Sequence, residues 1–185
     1  MRRNVLIGLA RLARFRADGL EHFGDTAQAY LTSLAPLLGF ALVGAVLMLL
    51  HGDPLAALSE LLSTVIVLLA PAVISNALAR LWGREAEWAR FAVALNWCQW
   101  VVPAVFFLSL LLSGVLVAAG WGEDQAVMLA AFVVVVYGVS LQWFVARKAL
   151  GLRRGRAVLL VVAMNIGAGV LALGPRLLAE GGLVG

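Results

Sequence analysis

The sequence predicts an all-α integral membrane protein. Five transmembrane helices follow a basic amphipathic N-terminal segment, with the N-terminus inside and the C-terminus outside. Three observations predict this. About 63% of the 185 residues are hydrophobic and 13% charged, too few charges to clothe a soluble domain of this size. Apolar stretches long enough to cross a hydrocarbon layer of about 30 Å, at about 1.5 Å of helix per residue, recur five times along the chain. Of the fourteen Lys and Arg, thirteen fall within residues 1–16, 80–90 and 147–156, at alternate connections between those stretches. Basic loops are retained on the cytoplasmic side during insertion, so the alternation gives an orientation.

Residues 1–29 are expected to form a cytoplasmic segment. Arg2, Arg3, Arg11, Arg14 and Arg16 interrupt it too often for the uninterrupted apolar core of a cleavable signal. With Leu6, Leu9, Leu12 and Ala13 on one side it reads as a basic helix lying in the headgroup layer; the alternative is a frayed, solvated leader. Residues 30–174 form one transmembrane domain, with spans expected at about 31–50, 55–81, 92–119, 125–145 and 157–173. Asp53 and Pro54 supply a cap and first turn for the second span. A polar turn from Gly120 to Asp124 separates the third and fourth, and Gly174-Pro175 ends the fifth. Residues 175–185 are a short external tail. Trp82, Trp88, Trp97 and Trp143 fall near the inner boundary and Trp121 near the outer one, where indole rings prefer to sit; Trp100 lies deeper.

Polar residues within spans mark the faces turned from lipid. At about 100° per residue, Glu60, Thr64, Pro71 and Ser75 share a face of the second span, and Asn96, Gln99, Pro103, Phe107 and Gly114 a stripe of the third, with Ser109 and Ser113 off it. Gln142, Gly138 and Ala131 align on the fourth, and Asn165, Gly169 and Ala172 on the fifth. These four faces are expected to meet. By depth, Asn76, Asn96, Gln99, Gln142 and Asn165 form a layer in the cytoplasmic half. Two readings stay open for it: amides bonding neighbouring helices together, or a cytoplasm-facing polar cavity holding a headgroup or small solute. Glu60, roughly 10 Å along the helix from Asp53, is a candidate outer-side carboxylate, either paired locally or linked to a proton or cation. Pro36, Pro71 and Pro103 interrupt the first three spans and shape them, or serve as hinges.

Chemistry-bearing motifs are missing. His22 and His51 fall on opposite sides of the membrane in this topology. There is no H-E-x-x-H, C-x-x-C, G-x-S-x-G, P-loop or dinucleotide fingerprint. The single cysteine, Cys98, reads as a buried small side chain. Asp18, Glu21, His22 and Asp25 read as a solvated turn rather than a metal site. The expectation is a non-enzymatic protein without cofactor. A net charge of +4 raises nucleic acid as a partner, but the basic residues cluster at span ends. Arg11, Arg14, Arg147, Lys148, Arg153, Arg154 and Arg156 are therefore assigned to anionic headgroups, and no nucleic-acid partner is expected. Another membrane protein or a second copy of the chain is the other partner class.

The run Asn76-Ala77-Leu78-Ala79-Arg80-Leu81-Trp82-Gly83, followed by Phe91-Ala92-Val93-Ala94-Leu95 and Pro103, resembles the middle of the Yip (Ypt-interacting protein) family. Val136-Tyr137-Gly138-Val139-Ser140-Leu141 and the stretch from Ala149 to Ala157 do so as well. The resemblance is one of spacing over about residues 25–173 and is closest to a bacterial-type member, consistent with an Ala-, Leu- and Arg-rich composition. It implies five helical spans and a cytoplasmic N-terminus, and with that composition the expected location is the bacterial inner membrane. Eukaryotic members are implicated in binding Rab-type GTPases; their acidic Asp-Leu-Tyr-Gly-Pro element is replaced here by Gly24-Asp25-Thr26-Ala27, and no functional residue is carried over. The expected role is a scaffold or accessory subunit binding lipid or a membrane protein. The alternative is a transporter of a small solute or lipid.

Overall fold

A computed structural model describes residues 4–180 apart from 51 and 53, with the side chains of all of these except Ala56 and those beyond Ala172. The expected cap at Asp53, the tail beyond 180, and the side chains of Arg2, Arg3, His51 and Arg176 lie outside the described residues.

Helix α1 (Val5–Leu12) begins at Asn4, whose side chain accepts hydrogen bonds from the Leu6 and Ile7 amides, and a 3-10 helix (Ala17–His22) folds back against it. Five segments are long and apolar enough to cross a membrane. They are α2 (Ala27–Leu50), α3 (Pro54–Leu81), the pair α4 (Glu85–Cys98) and α5 (Val101–Ala118), α6 (Glu123–Ala149) and α7 (Arg154–Glu180). The Thr26 hydroxyl accepts from the Ala29 amide at 3.2 Å, which starts α2 four residues before the expected span. Helix α7 continues through Gly174-Pro175 to Glu180, so the expected external tail begins as helix.

The third span differs most from expectation. It runs from Glu85 to Ala118, 34 residues, and its ladder opens at Gln99-Trp100. Pro103 explains the opening. Its ring removes the donor that would bond the Gln99 carbonyl four residues back and crowds that carbonyl. The chain tightens instead: the Trp100 amide bonds the Trp97 carbonyl at 3.1 Å. Pro36 and Pro71 have the same chemistry, yet α2 and α3 stay continuous across them.

The break decides how the bundle packs. Helix α4 is the hub: Phe91, Ala92, Val93, Ala94, Leu95, Asn96 and Cys98 are all buried, as expected of a helix apolar nearly all round. It is wrapped by α1, α2, α3 and α6, while α7 closes the ring between α3 and α6. Ala79, Val145, Ala146, Ala157 and Leu160, fully inaccessible, complete this core. Beyond the break α5 leans onto α6 and packs extensively on no other span. The residues it buries there are Ser109 and Ser113, while α6 in its outer half buries Ala126 and Ala130. Small residues four apart on both helices let the backbones approach. The expected faces fail in this half. Phe107 is exposed, Gly114 has open space around it, and Ala131 is exposed, because a stripe projected along one straight helix loses phase at the break. The bundle is thus closed at one end and splayed at the other, with α2, α3 and α7 on one side and α5 with α6 on the other.

The closed end is the basic one. Arg156 lies over the Trp82 ring at 5.8 Å, the Trp143 indole donates to the Arg154 carbonyl, and the Tyr137 hydroxyl donates to the Ala13 carbonyl at 2.7 Å. These contacts gather the N-terminal segment and the connections near 83 and 151 together.

Candidate functional site

Three of the five amides singled out from sequence converge. Gln99 at the end of α4, Gln142 of α6 and Asn165 of α7 line one cavity of about 200 Å³, with Val67 and Pro71 of α3, Leu95, Met164 and Ala168. Asn165 Nδ2 donates to Gln142 Oε1 at 2.7 Å and to the Val161 carbonyl at 2.8 Å. A carbonyl only accepts, so the second bond fixes which Asn165 atom is nitrogen and hence which Gln142 atom is oxygen. Asn165 Oδ1 and Gln142 Nε2 are thereby left to the cavity. The Gln99 side chain has no hydrogen-bond partner among the described residues. The wall therefore offers donors and acceptors but no formal charge.

The other two amides are elsewhere. Asn96 sits about 60° round the helix from Gln99 and turns to α2, where its Nδ2 donates to Ser33 Oγ at 2.9 Å in a buried pair. That bond is glue between helices, as one of the two readings has it. Asn76 is half-buried and does not line the cavity. On the same helix Ser75 is fully buried, donates to the Ala72 carbonyl and accepts from the Trp88 indole at 3.0 Å. Sequence reasoning missed this Trp88–Ser75 bond, since the tryptophan was assigned to the lipid interface. Glu60 is half-buried on α3 and has an interaction partner.

The residues around the cavity differ in exposure toward the two ends of the bundle. On the basic-end side, the lining helices are sealed through Ala79, Phe91, Ala146 and Leu160, each 0% exposed. On the other side they present exposed Leu62, Val135 and Ile166. The cavity is the floor of the splayed cleft. Gln142 lies seven residues before the end of α6 and Asn165 eleven after the start of α7. That places the amides about 10–16 Å in from those helix ends.

The basic residues divide into two groups. Those of 80–90 are neutralised internally: Arg80 pairs with Glu85 at 3.0 Å, Arg84 with Glu87 at 3.4 Å, and Arg90 with Asp25 at 2.7 Å. Arg11, assigned to headgroups, pairs with Asp18 at 3.2 Å, beside Arg16 at 2.8 Å. Arg14, Lys148, Arg153, Arg154 and Arg156 are exposed and Arg147 half-buried, none with an acidic partner among the described residues; Arg147 lies over the Trp143 ring at 5.6 Å. In the group Asp18, Glu21, His22 and Asp25, Glu21 and Asp25 are exposed, as a solvated turn would have them. Two of its carboxylates are paired and His22 is 8% exposed, packed where α1 crosses the 3-10 helix. Among the described residues no three His, Cys, Asp or Glu gather as metal ligands do.

Hydrogen bonding from Arg16, then the charges of Arg16 and Arg11, hold the Asp18 carboxyl below the usual aspartate range against an opposing desolvation effect. A lowered value means that this contact supports the docked N-terminal segment fully above the ordinary aspartate pKa of about 3.9 and is lost as pH falls through the lowered one. Proteolysis of the segment in micelles should accelerate only in that acid window. Asp18→Asn should lack the pH step.

The fold and cavity define an all-helical protein with five apolar helices of membrane-crossing length and a charge-free amide site between four of its helices. No protein-family model matches the chain, and neither does any curated protein or solved structure.

Proposed function

We propose that this chain is a non-enzymatic, five-pass protein of the bacterial inner membrane. Its N-terminus is in the cytoplasm and its C-terminus outside, and it acts as a scaffold or accessory subunit by binding lipid or a second membrane protein in the plane of the bilayer. One observation carries the reading: the bundle is packed around α4 at its basic end and splayed beyond Gln99-Trp100. Only 11–22% of each apolar stretch is buried within the chain, which leaves most helix surface for lipid or a partner. The segregated arginines support the orientation. The exposed Arg14, Lys148, Arg153, Arg154 and Arg156 suit anionic headgroups, each adding about 1 kcal/mol near a charged surface. The Yip-like spacing agrees with the same number of spans. Transport is the weaker reading, because the cavity is sealed toward the basic end by fully buried side chains.

A reporter active only outside the cytoplasmic membrane, fused after Gly185, is expected to be active, and the same reporter inserted at Gly151 silent. Activity at Gly151, or silence at both sites, removes the five-pass orientation. Isolation in mild detergent should then return the chain with a stoichiometric lipid or membrane protein.

A further inference from the structure

We infer that the cavity between α3, α4, α6 and α7 binds the neutral head of a membrane lipid, a hydroxyl beside ester carbonyls, and discriminates against charged heads. The inference rests on the helices lying in a bilayer, as proposed above, and adds a ligand class and a site. Its first support is the unspent hydrogen-bonding capacity of the wall. Asn165 Oδ1 is a free acceptor, Gln142 Nε2 a free donor, and the Gln99 amide is uncommitted on both ends. Backbone chemistry supplies the second. Pro71 and Pro103 carry no N–H, so the carbonyls of the residues four before them, Val67 and Gln99, lose their ordinary helical donor. Both of those residues line this cavity. Two helices thus bring a donor-deprived carbonyl residue to one small polar site.

The absence of formal charge in the wall decides the ligand class. A phosphate or ammonium buried there would give up its hydration without a counter-charge, which is the costly case inside a membrane. A hydroxyl that donates to Asn165 Oδ1 or a free carbonyl, beside an ester oxygen that accepts from Gln142 Nε2, satisfies the wall as it stands. A volume of about 200 Å³ takes a glycerol-ester head and no acyl chain. The chains have a way out along the lipid-facing surface, because Asn165 in the wall and the neighbouring Ile166 are both exposed.

The test uses two lipids with identical chains. The full-length protein in neutral micelles is mixed with dioleoylglycerol or dioleoylphosphatidic acid, and bound lipid is read by native mass spectrometry. The expected result is a dioleoylglycerol adduct on the wild type that falls about tenfold in Gln99→Leu and in Gln142→Leu, the scale of one or two lost hydrogen bonds. Gln99→Leu decides, since the Gln99 side chain bonds none of the described residues and its loss leaves the bonds among them intact. A dioleoylphosphatidic acid adduct that falls in Gln99→Leu as far as the dioleoylglycerol adduct does, or a dioleoylglycerol adduct unchanged in Gln99→Leu, overturns the inference; phosphatidic acid held by the exposed arginines should be indifferent to that substitution. Failure of the membrane placement itself shows separately, in the reporter fusions.

Discussion

Replacing Phe91 by alanine is expected to destabilise the bundle by about 3 kcal/mol, measured by equilibrium unfolding in mixed micelles. Phe→Ala in a packed core costs about 3–5 kcal/mol, part transfer and part cavity. The lower end applies here because lipid or detergent receives an exposed phenyl ring far better than water does, which shrinks the transfer part and leaves the cavity part. Phe91 is 0% exposed on α4, the helix that α1, α2, α3 and α6 surround, so no single neighbour can relax into the space. Phe107 is the control. It is the same residue type on the same span, but it lies beyond the break and is 65% exposed. Phe107→Ala should change stability by less than about 0.5 kcal/mol, the usual scale of a surface substitution. Equal costs at the two positions would mean that the outer half is as well packed as the inner, and the splayed arrangement would be wrong.

What could be read from residues alone follows from which signals are local. Span length and arginine segregation are local, and the five apolar segments of the structure fall where apolar runs of about twenty residues predicted them. The break at Gln99-Trp100 is not local. Pro36, Pro71 and Pro103 present the same chemistry to the sequence, and only the last opens its helix. The outer stripe on the third span followed from treating that span as straight, which put Phe107 inside and Ser109 outside; the break reverses the two. Pairing explains the arginines of 80–90. Arg84 and Glu87 are three apart at the start of α4 and legible as a pair, but Arg90 meets Asp25 across 65 positions of chain. For the amides, depth was legible and direction only partly so. Gln99, Gln142 and Asn165 meet, whereas the step from Gln99 to Asn96 is enough to turn the latter to another helix.

The N-terminal segment was expected to lie among headgroups, and its docking on the bundle gives the second large effect. Gly8 and Gly19 are where α1 and the 3-10 helix cross. A Cβ on Gly19 would stand 2.7 Å from the Gly8 carbonyl oxygen and 3.0 Å from Arg11 Cβ, and one on Gly8 would stand 2.7 Å from His22 Cβ. The nearest obstacle to a side chain at Gly19 is backbone, which cannot rotate away, so Gly19→Val must separate the two segments. Overpacking of this kind costs about 1–3 kcal/mol, or roughly 5- to 150-fold in the docking equilibrium. The consequence spreads because the crossing holds Leu12 and Phe23 in the core, at 0% and 1% exposure, and sets the Ala13 carbonyl where the Tyr137 hydroxyl bonds it. Hydrogen exchange of the α1 amides in micelles should accelerate by about that factor in Gly19→Val. In Tyr137→Phe it should rise by no more than about tenfold, since a single hydrogen bond is worth about 1 kcal/mol. Gly44→Ala, on α2 with nothing within 4 Å of the added carbon, should leave α1 exchange unchanged. If Gly19→Val keeps wild-type protection, the segment is held by its apolar contact with the bundle alone, and the glycine crossing has no part in placing it.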